Sequence, residues 1–213
     1  MIAIMDYGVG NLFSLRCSLE KIGAQVIVTN DPEQLHQADK LILPGVGAFG
    51  DAAQKLRDSG LDVVVKEEVK NGKPLLGICL GMQLLFERSF EYGEHQGLGL
   101  LKGSVIAMEG TIPPNLQIPH IGWNALHFHN AASPLLKYIK ENDCVYFVHS
   151  FYAVDCDESL IATAEYGPEI TAMVAKDRVF GCQFHPEKSG NVGLGILRAF
   201  CEMEVSNADI SCN

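Results

Sequence analysis

Through residues 1–89, short apolar runs alternate with amphipathic ones, and this alternation constrains the fold more than any other feature. Strands are expected at MIAIMD, AQVIVT, DKLILP and KPLLGI. Helices are expected at NLFSLRCSLEKIG (closed by Gly23), GDAAQKLRDSGLDVVVKEEVKNG and LGMQLLFERS. Strand and helix in turn imply right-handed crossovers and a mainly parallel sheet covered on both faces. After Glu91 the texture changes. A glycine-rich loop, EYGEHQGLGLLKG, leads into shorter strands at GSVIAME, IGWNALHF, CVYFVHSFYAV, LIATAEY, ITAMVAK and RVFGCQF, an antiparallel or mixed set. VGLGILRAFCEME reads as a closing helix and VSNADISCN as a frayed tail. The fold class is α/β in three layers: a mainly parallel central sheet flanked by helices, with additional antiparallel strands in the second half. With 213 residues and no linker, repeat or low-complexity tract, the chain suits one domain over 1–204 and a flexible tail over 205–213.

Composition excludes several functions. A net charge of −10 without a basic cluster would repel a phosphate backbone, so nucleic acid is not an expected partner. No apolar run is long enough for a membrane span, and MIAIMD has no basic region and meets Asp6 too early for a signal peptide. The cysteines are odd in number, scattered and free of CxxC pairs, which argues against a disulfide framework or zinc site and fits a reducing, cytoplasmic setting. His127 and His129 share a strand face, but no third ligand lies near, and a solvent-facing strand explains them.

GVGAFG, Gly45 to Gly50, matches GxGxxG between a strand and a helix. A dinucleotide site would need the first strand and an acid at a strand end. This motif follows the third strand, and Glu67 and Glu68 sit inside a helical run. A loop presenting backbone N–H groups to a substrate oxygen is the better expectation, with a plain glycine turn as the alternative. DYGVGNL, after the first strand, should end at the same sheet edge.

Gly77-Ile78-Cys79-Leu80-Gly81 has the form of a nucleophile elbow. The turn is sharp, and side chains on either side of Cys79 would collide with neighbouring elements. It leaves the sulfur at a helix N-terminus, where unpaired N–H groups and the helix dipole favour negative charge. Cys17, Cys144, Cys182 and Cys201 lie in apolar runs without that frame and read as small buried hydrophobes. FGCQFHPEKSG supplies the base. Pro186 biases His185 toward extended geometry, and residues two apart in an extended segment share a face. Glu187 can then accept from one imidazole nitrogen and leave the other to take the thiol proton.

These residues resemble the class I (triad) glutamine amidotransferases, in which a cysteine elbow and a downstream H-P-E form a Cys-His-Glu triad. DYGVGNL, LPGVGAFGDA, GICLGMQLLFE, HIGWN, YFVHSFY and CQFHPEKSG carry the resemblance over about residues 1–204. They are most similar to family members that serve histidine biosynthesis. The resemblance implies that Cys79 attacks the side-chain amide of L-glutamine to give a thioester and ammonia, with His185 as base and then acid and Glu187 orienting it. It implies an oxyanion site at the N–H of Leu80 with that of Val46 or Gly47. Gln83 and the run His149, Ser150 and Phe151 would hold the substrate's amino-acid head. Phe151 stands where the family often has tyrosine, so a backbone contact is expected there rather than a hydroxyl one.

The resemblance further implies no cofactor or metal, and a heterodimer with a (β/α)8-barrel cyclase subunit that receives the ammonia. That partner makes imidazole glycerol phosphate and aminoimidazole carboxamide ribonucleotide. Asn11, Trp123, Asn124 and Lys188 would lie at or near the interface, although Trp123 equally fits a core aromatic and Lys188 a solvated lysine. The family's glutaminase is nearly idle until the partner holds its ligand, and Gly45 and Gly47 offer a peptide flip as the switch. Three rivals stand beside this reading: a thiol hydrolase acting alone, such as a γ-glutamyl peptidase; a non-catalytic docking protein; and a dinucleotide-binding domain.

Overall fold

In a computed structural model, residues 1–204 are described, and the expected tail lies outside them. The first half runs β1 (Ile2–Met5), α1 (Leu12–Lys21), β2 (Val26–Thr29), α2 (Pro32–Gln37), β3 (Lys40–Leu43), α3 (Phe49–Asp58), α4 (Leu61–Lys70), β4 (Leu75–Ile78) and α5 (Leu80–Gln83). Next come β5 (Arg88–Ser89), β6 (His95–Gln96), β7 (Ser104–Ala107), β8 (His120–Ala125), β9 (His127–Phe128), β10 (Cys144–His149) and β11 (Phe151–Val154). The chain closes with β12 (Leu160–Glu165), β13 (Glu169–Lys176), β14 (Val179–Cys182) and α6 (Gly190–Cys201).

The central sheet has the order β2-β1-β3-β4-β14-β13-β12-β9. Its pairs from β2 to β14 are parallel, and those from β14 to β9 antiparallel. Alternate residues of β1 show why both faces are covered. Ala3 and Met5 pack with Leu35 of α2, Phe49 and Leu56 of α3 and Val65 of α4. Ile2 and Ile4 pack on the other face with Leu15 and Leu19 of α1 and Leu197 and Phe200 of α6. The period of two puts a residue into each core at every step, which is why these runs read as continuously apolar. The expected three layers are present. A smaller sheet, β11-β7-β5-β6, and the pair β10-β8 sit beside the central one.

Several boundaries differ from expectation. The long helix over 50–72 is two, because Gly60 adopts φ +72° between α3 and α4. The helix expected over 80–89 is a single turn that gives way to β5, whose Arg88 and Ser89 pair with both β6 and β7. β6 lies within the expected glycine-rich loop. CVYFVHSFYAV breaks at Ser150 into β10 and β11, which join different sheets. α2 was not anticipated, although Asp31 caps it by accepting from Glu33 N–H and Pro32 opens it. Two of the four cysteines expected to be buried, Cys17 on α1 and Cys144 at the start of β10, are exposed. An apolar run gives the element, not which of its faces a short residue occupies.

β1 continues to β2 on one side of itself and then, through α2, to β3 on the other. The loops after β1 and β3 therefore flank a topological switch point, where open α/β sheets bind ligands. Tyr7, after β1, donates its hydroxyl to the Pro44 carbonyl after β3 at 2.6 Å, joining the two loops. No helix among the described residues is long and apolar enough to cross a membrane.

Candidate active site

β4 ends at Ile78, and the next residue turns the chain sharply. Cys79 adopts φ +54° and ψ −112°, a conformation that side-chain-bearing residues rarely take. Its N–H donates to the Cys182 carbonyl at 2.8 Å, which ties the turn to the end of β14. The flanking glycines are required by close approach. A Cβ on Gly81 would lie 1.8 Å from the Leu43 carbonyl oxygen, and one on Gly77 would lie 2.7 Å from that of Gly81. Gly81→Ala is therefore expected to destabilise the fold by about 3 kcal/mol or more. An unshifted denaturant midpoint in that variant would contradict the geometry.

Cys79 is the N-cap of α5, at a helix N-terminus as expected, but α5 spans only four residues, so its dipole is a minor influence. Even a long helix contributes only about 0.3–1 kcal/mol to a nearby charge. A hydrogen bond to a charged group contributes about 1.5–3 kcal/mol, so the histidine outweighs it.

His185 is extended, at φ −100° and ψ 98°, as its following proline requires. Its Nδ1 is 2.9 Å from Glu187 Oε1, so this nitrogen carries a proton and Nε2 is left free to take one. Glu187 Oε2 is buried without a hydrogen-bond partner among the described residues, which leaves the imidazolium as its compensating charge. Burial alone would lower the pKa of His185. Hydrogen bonds with Cys79 and Glu187 override that and push it up to about 9. At neutral pH the ring is an imidazolium between a sulfur and a carboxylate.

The sulfur opens into a cavity of about 430 Å³. All the residues expected around a substrate line it: Val46 and Gly47 after β3, Leu80 and Gln83 of α5, and His149, Ser150 and Phe151 where β10 passes to β11. Leu80 opens a one-turn helix, so its N–H has no acceptor within that helix. Gly47 has φ +94° and open space where a Cβ would point. Gln83 Nε2 donates to the Phe151 carbonyl and to Gln183 Oε1, both at 3.0 Å, which leaves its own oxygen uncommitted.

His149 acts otherwise than expected. Its ring is turned inward, with Nδ1 donating to the Phe151 carbonyl at 2.8 Å and Nε2 3.1 Å from His120 Nδ1. Burial pushes the pKa of His149 down to about 3 and that of His120 to about 4, so the pair is neutral at physiological pH. The Phe151 carbonyl, the backbone contact expected for substrate, is thus already accepting from Gln83 and His149.

Sequence reasoning missed Glu91 and Tyr92, which also line the cavity. Glu91 is buried and accepts from the Phe49 N–H at 2.6 Å, and burial raises its pKa. It lies in a glycine-rich stretch with no periodicity to mark it. Gln183, fully buried beside Cys79 just past the end of β14, was also missed, because within the expected strand RVFGCQF it looks like any polar residue.

The GxGxxG motif does not form an open phosphate cradle. A Cβ on Gly45 would meet Gly81 N at 2.8 Å, and one on Gly50 would meet the His95 ring at 2.7 Å. His127 and His129 face different partners, Glu141 for the first and Thr163 and Glu169 for the second. Among the described residues no three His, Cys, Asp or Glu side chains gather as metal ligands would.

The expected interface residues divide. Trp123 is 58% exposed, which overturns the core-aromatic alternative. It meets the Tyr146 ring edge-on at 6.2 Å, and the exposed Lys188 places Nζ 6.0 Å from the same ring. Asn124 is turned toward the body of the protein, donating to the Glu165 carbonyl at 2.7 Å. Asn11 caps α1 through the Ser14 N–H.

Comparison with known proteins bears on the family and the fold. The family model "Glutamine amidotransferase class-I" matches residues 3–202. The chain is 50% identical over 206 residues to "Imidazole glycerol phosphate synthase subunit HisH" of Bacillus subtilis strain 168, covering 95% of this chain and 96% of that one. It is 48% identical over 205 residues to the protein of the same name from Wolinella succinogenes, covering 95% and 100%. Among solved structures, "Structure of PurLQS from Thermotoga maritima" superposes with a TM-score of 0.72 at 22% identity, covering 93% of this chain and 96% of that one. "Crystal structure of glutamine amidotransferase" gives 0.72 at 19%, covering 93% and 98%. At those identities the two structures speak for the fold alone.

Proposed function

The chain belongs to the class-I glutamine amidotransferase family, and from its similarity over 95% of its length to imidazole glycerol phosphate synthase subunits we propose that it is the glutaminase subunit of such a synthase in histidine biosynthesis. It hydrolyses L-glutamine to L-glutamate and ammonia and passes the ammonia to a (β/α)8-barrel cyclase subunit. The observation that chiefly supports this is that Cys79 and His185 line one cavity, with the imidazole held from behind by the Glu187 carboxylate at 2.9 Å.

In the proposed chemistry the thiol proton rests on His185 Nε2 and the sulfur attacks the carboxamide carbon. A C–S bond forms, and the carbonyl electron pair moves to oxygen, facing the Leu80 N–H and the loop at Val46 and Gly47. Collapse breaks the C–N bond, and ammonia leaves with the proton from Nε2. Water, deprotonated by the now neutral ring, cleaves the thioester and frees glutamate. The free oxygen of Gln83 and the Glu91 carboxylate are the acceptors for the substrate ammonium, while His149 holds the Phe151 carbonyl. Ammonia released to bulk water would be protonated and lose its nucleophilicity, so transfer must exclude water. The exposed Trp123, with Tyr146 and Lys188, fits a partner-facing surface, near which the family resemblance also puts Asn11 and Asn124. Residues 1–204 act as one domain, and the exposed thiols of Cys17 and Cys144 fit a cytoplasmic setting.

The decisive assay measures glutamate formation by the purified chain, alone and with a barrel cyclase, with that partner's nucleotide ligand present and absent. Stimulation by the liganded partner supports the proposal. Equal turnover without a partner would indicate a lone thiol hydrolase, and no turnover in any arm a docking protein.

Stimulation is proposed to act through the Val46–Gly47 peptide, turning an N–H toward the oxyanion. Gly45 is a poor probe of this, because any side chain there strikes the elbow. Gly47→Pro is the better one, since proline fixes φ near about −65° against the present +94°. It should lower the ratio of stimulated to basal turnover at least about fivefold. An unchanged ratio would remove this peptide from the switch.

A further inference from the structure

Gln183 has no part in the chemistry above, yet it is fully buried between the nucleophile and the residue assigned to the substrate's head. Its Nε2 is 3.8 Å from Cys79 Sγ, and its Oε1 is 3.0 Å from Gln83 Nε2. One fixed acceptor orients both amides. The Phe151 carbonyl can only accept, so the Gln83 atom 3.0 Å from it is the nitrogen. That nitrogen's second hydrogen points at Gln183, which must answer with its oxygen. The Gln183 NH2 group is thereby turned to the sulfur. Both ends are anchored: His149 Nδ1 holds the Phe151 carbonyl at 2.8 Å, and Gln183 N–H donates to the Ala172 carbonyl at 2.9 Å.

We infer that Gln183 is a positioning residue for this reaction: its NH2 group steadies the Cys79 sulfur as negative charge gathers there, and its carbonyl holds Gln83 with the carboxamide oxygen left for the substrate ammonium. The inference rests on the glutaminase reading and deepens it. A donor aimed at sulfur favours the charged nucleophile, because hydrogen bonds to charged groups are the stronger ones. The chain Cys79–Gln183–Gln83–Phe151 also fixes the distance between the attacking atom and the site that grips the substrate's head.

Two substitutions separate these roles in the complex with the barrel cyclase. Gln183→Glu keeps an acceptor for Gln83 and removes the donor to sulfur. Gln183→Met removes both at similar volume. The first should lower glutamine-dependent kcat about tenfold with KM changed less than about twofold, and the second should also raise KM several-fold. In both, alkylation of Cys79 by iodoacetamide at pH 7 should slow about tenfold and recover as the pH is raised to 9. Alkylation must be read peptide by peptide in a mass spectrometer, because Cys17 and Cys144 are exposed.

A residue that only packs would change the melting temperature and leave the alkylation profile and kcat alone, and that result overturns the inference. Should one variant fail to fold, the other still reads the sulfur contact. Failure of the unsubstituted complex to turn over glutamine would fell the glutaminase reading. Normal turnover there with unaltered variants would fell only the role of Gln183.

Discussion

Replacing Cys79 with alanine is expected to lower glutamine-dependent synthesis at least about 10⁴-fold while synthesis from added ammonium salts survives in the complex. The asymmetry follows from where the residue sits. Among the described residues that line the cavity its sulfur is the only one able to form a thioester, so no other lining residue replaces it in releasing ammonia from an amide. The partner's own chemistry needs only ammonia. The fold should tolerate the change, because alanine is smaller and the elbow is held by backbone contacts: Cys79 N–H to Cys182 and Gln83 N–H to the Cys79 carbonyl at 3.1 Å. One strain remains, since alanine must also adopt φ +54°. Loss of the ammonium-dependent reaction as well would mean that the side chain supports assembly rather than chemistry.

How legible this site was in the sequence depended on the kind of constraint each residue obeys. Gly77 and Gly81 announce themselves, because no other residue fits where backbone passes so close to backbone. His185 and Glu187 were readable because proline fixes the local geometry and a spacing of two puts them side by side. The strands of the central sheet were readable for a similar reason: burial on both faces makes an unbroken apolar run. Glu91 obeys no such local rule. It reaches the cavity from a loop whose path is set by the pairing of β5, β6 and β7, strands too short to show a period. The same pairing ended α5 after one turn, overriding the good helix formers that follow Gln83. Cys17 and Cys144 show the opposite limit, since whether a residue faces inward depends on which neighbouring element covers that face.

His185→Ala is expected to remove glutaminase activity almost as completely as Cys79→Ala, at least about 10⁴-fold, because the members of such a triad act as a unit. Without the ring the sulfur keeps its own proton and departing ammonia has no acid, so both halves of the amide cleavage fail together. Glu187→Gln should be milder by about 10–10²-fold, since the ring remains and only its orientation and charge balance suffer. The pH dependence separates the two carboxyl roles. Protonated His185 is required to release ammonia, and its pKa is held up to about 9 first by the bond with Cys79 and then by Glu187. Activity of the unsubstituted enzyme should therefore fall as the pH rises past about 9. A neutral amide at position 187 withdraws one of the two raising influences, so the proton is lost more easily and the alkaline limb must move to lower pH. A pH–rate profile of the complex reads this directly. A limb that stays in place in Glu187→Gln, or moves upward, would mean that Glu187 carries no charge in the working enzyme, and the row of sulfur, imidazole and carboxylate would have to be reassigned.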